Sequence, residues 1–271
     1  MPNQGKDIDM LEGMVRKFLY FPERIAAHEP PPGYCGDVEE VFLDTETGER
    51  IHGLYWPPPE GRPVILFFHG NAQCVYEWAL VRQDLESTHT GMFLIDYPGY
   101  GKSSGQPTEP GLYAAGKAAW DWLTKRMDSS RILIFGKSLG GGVAVEICRQ
   151  VGQRRVAGLL LESTFRSIPS VATKLLPVLP AGALLRSERY DSIRKIGDIH
   201  CPLLVIHGTA DQLIPASEGQ ALFDAAPKPK DIWLVTGAGH NNVALRAGDE
   251  YGRRIRDWID EVTKPTSSQE N

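Results

Sequence analysis

Apolar residues fall in short runs along this chain, and the runs come in two kinds. Val38–Leu43 and Ile51–Trp56 alternate or are short and lie close together, as the two strands of a hairpin do. The six that follow, Val64–Phe68, Met92–Ile95, Ile132–Phe135, Val156–Leu161, Leu203–Ile206 and Ile232–Val235, are more continuously apolar. Segments with helical spacing separate most of them: Val75–Leu85, Pro110–Met127, Leu139–Gln150, Pro215–Ala226 and Val243–Val262. Continuous apolar strands alternating with helices predict an α/β fold, with a mostly parallel eight-stranded sheet covered by helices on both faces. The right-handed crossover rule then limits the topology.

Three segments stand apart from this alternation. Met10, Leu11, Met14, Val15, Phe18 and Leu19 recur at helical spacing within an N-terminal extension of residues 1–37. Such a helix either docks on its own domain or touches a membrane surface. The interval Thr164–His200 holds Leu175, Leu176, Val178, Leu179, Leu184 and Leu185 with Pro177 and Pro180. It reads as a helical insert, and its leucines either cover the strand ends as a lid or pack against the domain. The tail 263–271 is polar and is expected to fray.

With 271 residues, 42% of them hydrophobic, the chain suits one domain spanning 1–271 and buries a full core without disulfides or metals. A net charge of −5 and the absence of a long basic run disfavour nucleic acid. The four cysteines, Cys35, Cys74, Cys148 and Cys201, form no C-x-x-C pair, so reduced, buried thiols in a cytoplasm are expected, with no metal centre. No stretch approaches the roughly 18 apolar residues of a spanning helix. No feature of the sequence specifies an oligomeric state.

The chemistry concentrates at Gly136-Lys137-Ser138-Leu139-Gly140. This G-x-S-x-G follows a predicted strand and opens a predicted helix, the setting of a nucleophile elbow. Small flanking residues let strand and helix approach, and the turn holds the serine hydroxyl out of the sheet. A hydroxyl needs a base, and of the seven histidines His240, in the loop after the last strand, is best placed. His28, His52, His89 and His200 read as surface residues, and His207 as structural. The base needs an acid to fix its tautomer. Asp211, in HGTADQLIP at a strand's C-terminal end, is favoured over Glu162, and Asp96 reads as a turn residue. Two backbone N–H groups are candidates for an oxyanion: that of Leu139, at a helix start, and that of Asn71, in FFHGNAQ after Val64–Phe68.

Taken in order, FFHGNAQ, LIDYPGYGKSSGQPTE, ILIFGKSLGGGVA, LLLESTFRSI, LLVIHGTADQLIP and GAGHN resemble the α/β-hydrolase superfamily, over residues 63 to 242. Within it the chain is similar to the serine hydrolases grouped as α/β-hydrolase-domain proteins. The resemblance implies an α/β-hydrolase fold and a serine esterase, lipase, thioesterase or peptidase that needs no cofactor. It implies Ser138 as nucleophile, Asp211 as acid, His240 as base, and Asn71 and Leu139 as oxyanion donors. Several such relatives carry an N-terminal membrane helix, for which this sequence has no stretch of sufficient length. The substrate expected is a small molecule or acyl group, carried as an ester or thioester, with an amide as the alternative.

Two rival readings are testable on the sequence. Gly-Lys-Ser occurs at Gly101–Ser103 and Gly136–Ser138, but a phosphate-binding loop needs a glycine five residues earlier, where Asp96 and Arg131 stand. The other rival is a non-catalytic binding module on a hydrolase scaffold. The presence of all three triad residue types at suitable places argues against it.

Overall fold

The computed structural model describes residues 16–17, 19–152, 156–175 and 187–264, with backbone only at 173–175. Most of the predicted N-terminal helix, residues 176–186 of the insert and residues 265–271 lie outside the described residues, and with them the lid reading and the frayed tail.

Eight strands form one sheet: β1 (Glu39–Asp44), β2 (Arg50–Trp56), β3 (Val64–Phe68), β4 (Gly91–Ile95), β5 (Ile132–Lys137), β6 (Gly158–Glu162), β7 (Leu203–Gly208) and β8 (Lys230–Val235). Their order is β1-β2-β4-β3-β5-β6-β7-β8. β1 and β2 form the expected hairpin and β2 runs antiparallel to β4; every other pairing is parallel. The helices are α1 (Val75–Trp78), α2 (Val81–Asp84), α3 (Glu109–Thr124), α4 (Leu139–Val151), α5 (Ile168–Leu175), α6 (Ser192–Lys195), α7 (Ala216–Ala225), α8 (Val243–Ala247) and α9 (Asp249–Val262).

The continuous apolar runs have a direct cause. β3 to β7 are buried on both faces, so successive side chains enter different cores. Leu66, Phe68 and Ile134 face Trp120, Val143 and Ile147 on one side of the sheet. Ile65, Phe67 and Phe135 face Tyr251, Ile255 and Ile259 on the other. β1, at the edge, buries only its alternate residues Val41 and Leu43.

Two predicted helices are each broken in two. Val75–Leu85 divides at Ala79 and Leu80 into α1 and α2. Val243–Val262 divides at Gly248, whose φ of 57° carries the chain out of the helical region. The described ends of the insert pack against the domain: Ile168, Val171, Tyr190 and Ile196 belong to its buried core.

The topology also locates the site. From β3 the chain moves outward to β4, then returns to lay β5 on the other side of β3. The crevice at such a reversal lies at the C-terminal ends of the strands. Phe68 is paired with Gly136, so the loop after β3 and the turn after β5 leave the sheet side by side.

Candidate active site

Ser138 joins β5 directly to α4 with φ 54° and ψ −118°. A non-glycine residue at positive φ is strained and persists only where its surroundings hold it. Here three hydrogen bonds do so: Ser138 N–H donates to Glu162 O (2.9 Å), and Ser138 O accepts from Gly141 N–H (3.0 Å) and from Thr164 Oγ1 (2.8 Å). The turn is tight enough that a Cβ on Gly140 would run into the Phe68 carbonyl, and one on Gly136 into the Gly140 carbonyl.

His240, between β8 and α8, directs Nε2 at Ser138 Oγ (3.1 Å) and Nδ1 at Asp211 Oδ2 (2.8 Å). Facing a carboxylate, Nδ1 is the donor, which leaves Nε2 as the acceptor for the serine hydroxyl. Asp211 is itself fixed: its Oδ1 accepts from Leu213 N–H (3.0 Å) and Ile214 N–H (2.8 Å), and its side chain is fully buried. His207 is a further partner, with Nε2 3.4 Å from Asp211 Oδ2 and donating to Ile214 O at 2.8 Å. Burial alone would raise the Asp211 pKa. The hydrogen bonds from His207, His240 and Ile214 outweigh it and hold the carboxyl well below the usual carboxylate range.

Glu162, the competing acid in the sequence, is engaged elsewhere. It is buried, 2.6 Å from Lys137 Nζ through one oxygen and accepting from Tyr251 OH (2.5 Å) through the other. Asp96 is a buried brace, accepting from Val75 N–H (3.0 Å) and lying 3.2 Å from His52 Nδ1. His52 is not a surface residue: it is fully buried between Asp96 and Glu40, whose Oε1 lies 2.8 Å from Nε2. The local sequence groups His52 with His28, His89 and His200 at the surface, whereas Glu40 and Asp96 enclose it.

Leu139 begins α4, so its N–H has no intrahelical acceptor. Gly70 and Asn71 follow β3 closely alongside: a Cβ built on Gly70 would lie 3.6 Å from Ser138 Cβ and 3.0 Å from the Trp78 ring. His69 Nδ1 bonds Gly70 O at 2.7 Å, and in a trans peptide this turns the Asn71 N–H the opposite way. The side chain of Asn71 bonds residues 19 and 21 and Tyr100, which nothing in its local sequence signals. Thr164 was likewise missed, since it meets Ser138 only through the alignment of β5 with β6. The spacing of His207 and Asp211, four residues apart, was the available sign of their contact.

The model of the alpha/beta hydrolase fold matches residues 63–185, and an uncharacterized protein of Mycobacterium tuberculosis, MT2364, is 36% identical over 94% of this chain and 90% of its own length. The chain belongs to the α/β-hydrolase superfamily. The chain is also similar to the uncharacterized protein YfhR of Escherichia coli, 30% identical over 92% of this chain and 88% of its own length. Among solved structures, the Pyrococcus furiosus esterase Pf2001 superposes with a TM-score of 0.72 at 18% identity, covering 90% of this chain and 97% of that one. An α/β hydrolase of Vibrio vulnificus superposes with a TM-score of 0.68 at 24% identity, over 84% and 83%. These two share the α/β-hydrolase fold. Among the described residues no helix is long and apolar enough to cross a membrane, and no group of His, Cys, Asp or Glu is arranged to hold a metal ion.

Proposed function

We propose that the protein is a serine hydrolase that cleaves a carboxylic ester or thioester through an acyl-enzyme. The observation that carries this reading is the run Ser138 Oγ–His240 Nε2 (3.1 Å), His240 Nδ1–Asp211 Oδ2 (2.8 Å), with its serine on a strained strand-to-helix turn.

Ser138 Oγ attacks the acyl carbon while His240 Nε2 takes its proton. The oxyanion so formed receives the N–H groups of Leu139 and Asn71, the first aided by the α4 dipole. Asp211, ionised and buried, steadies the imidazolium. Collapse of the tetrahedral intermediate breaks the bond to the leaving alkoxide or thiolate, which takes the proton from His240. Water then enters, gives a proton to His240 and attacks the acyl carbon. The carboxylic acid leaves, and the proton returns to Ser138.

The test is hydrolysis of p-nitrophenyl esters across a chain-length series, with acyl thioesters beside them. Wild type should turn over at least one, with Ser138→Ala and His240→Ala each slower by roughly a thousandfold or more. A folded wild type inert to every member, or a Ser138→Ala protein of equal activity, would overturn the proposal.

A further inference from the structure

Asn71 reaches the N-terminal segment through its side chain, not its backbone. Its Nδ2 donates to Leu19 O, and its Oδ1 accepts from Phe21 N–H (3.2 Å) and Tyr100 OH (3.0 Å). Bonding the carbonyl of one residue and the N–H two residues on is how a strand residue pairs with a parallel neighbour. The side-chain amide thus imitates a strand peptide opposite Tyr20. The same parallel sense continues in the bridges Pro22 to Gln73 and Arg24 to Gly101.

The segment is anchored on both sides of this contact. Tyr20 is buried, and its hydroxyl donates to Glu188 Oε2 (2.5 Å) and lies 2.7 Å from Tyr190 OH. Glu188 also accepts from Glu109 N–H (2.7 Å), and Tyr190 packs against Gly142 of α4, the helix that begins after Ser138. Downstream, Gly101 N–H donates to Glu23 O (2.6 Å) and Ile25 N–H to Gly101 O (3.0 Å).

From this we infer that residues 19–24 form a strap that positions the oxyanion loop, with the Asn71 side chain as the positioning residue. The inference rests on the role proposed above for the Asn71 N–H. Gly70 leaves its peptide unusually free to rotate, so the direction of the next N–H must be set from outside. His69 holds the Gly70 carbonyl on one side; the strap holds Asn71 on the other. A misdirected donor costs transition-state binding more than substrate binding.

The experiment compares Phe21→Pro with Phe21→Ala, which share the loss of a half-exposed ring but differ in the N–H that Asn71 accepts. Asn71→Ala, which keeps the backbone N–H and removes the clamp, stands beside wild type. For each, kcat and KM on a p-nitrophenyl ester and the inhibition constant of phenylboronate, a mimic of the tetrahedral state, are measured with the thermal midpoint. Phe21→Pro should fall below Phe21→Ala in kcat, and Asn71→Ala below wild type, by roughly ten- to a hundredfold. KM should stay within about twofold, and boronate binding should weaken in step with kcat. If either variant fails to fold, the other pair decides. Folded variants with kcat and boronate affinity within about twofold of their references would overturn the strap. A wild type inert to ester and boronate alike would instead remove the hydrolase reading on which it rests.

Discussion

His240 Nε2 lies 3.1 Å from Ser138 Oγ, although 102 residues separate the two in the chain. The sheet makes that meeting possible. Ser138 follows β5 at the centre and His240 follows β8 at the edge, with Asp211 following β7 between them. All three emerge at the same end because β5 to β8 are parallel.

The two candidate acids predict opposite phenotypes. Asp211→Asn should lower kcat by roughly 10⁴-fold, the scale of losing a triad aspartate. Glu162→Gln should leave kcat within about threefold and lower the thermal midpoint, because Lys137 and Tyr251 lose a buried carboxylate partner. Ester kinetics and thermal unfolding of both variants check the pair; the reverse pattern would transfer the acid role to Glu162.

The tightness of the turn predicts that Gly140→Ala is not a mild change. Its Cβ would collide with the Phe68 carbonyl, and backbone on both sides has no room to retreat. A loss of about 3 kcal/mol or more is expected, measured as a drop in the urea midpoint.

Acid sensitivity follows from Glu218, in the first turn of α7. It accepts from Arg166 N–H (3.1 Å), from the Arg166 guanidinium (2.9 and 3.1 Å) and from Ser170 Oγ (2.7 Å), tying the entry of the insert to the domain. Burial opposes its ionisation, but these bonds win and hold its pKa down to about 2. A depressed carboxylate pKa contributes stability that is complete above the unfolded value and lost as pH falls through the folded one. The loss should therefore run from about pH 5 down to about pH 2, with Asp211 adding in the same direction. Urea midpoints of wild type should fall across that window more steeply than those of Glu218→Gln.

All four cysteines are free and buried, and burial pushes the thiols of Cys35, Cys74 and Cys148 upward. Ellman's reagent should find no reactive thiol in the native protein and four after denaturation. Iodoacetamide should leave ester hydrolysis intact; inactivation would point to a cysteine at the chemistry.

Much of this architecture was legible in the chain because its causes are local. Val64–Phe68 has the same bounds as β3, since a run buried on both faces ends where the turn residues begin. Ser138, Asp211 and His240 each follow a strand, and strand ends are easily read. The rest depends on contacts that local sequence does not encode. His52 was misread because its burial comes from Glu40 and Asp96, 12 and 44 residues away. The side chain of Asn71 was silent because its partners are far off in the chain: two backbone atoms 50 and 52 residues distant and the Tyr100 hydroxyl 29 residues distant. The break at Gly248 was foreseeable in type, since glycine often ends a helix, but apolar periodicity runs through it.

The most direct test of the nucleophile is a fluorophosphonate probe followed by peptide mapping. One adduct per chain is expected, on the peptide carrying Ser138, with none on Ser138→Ala of unchanged fold. A folded wild type that takes no label, or a Ser138→Ala protein that labels as readily, would contradict the account.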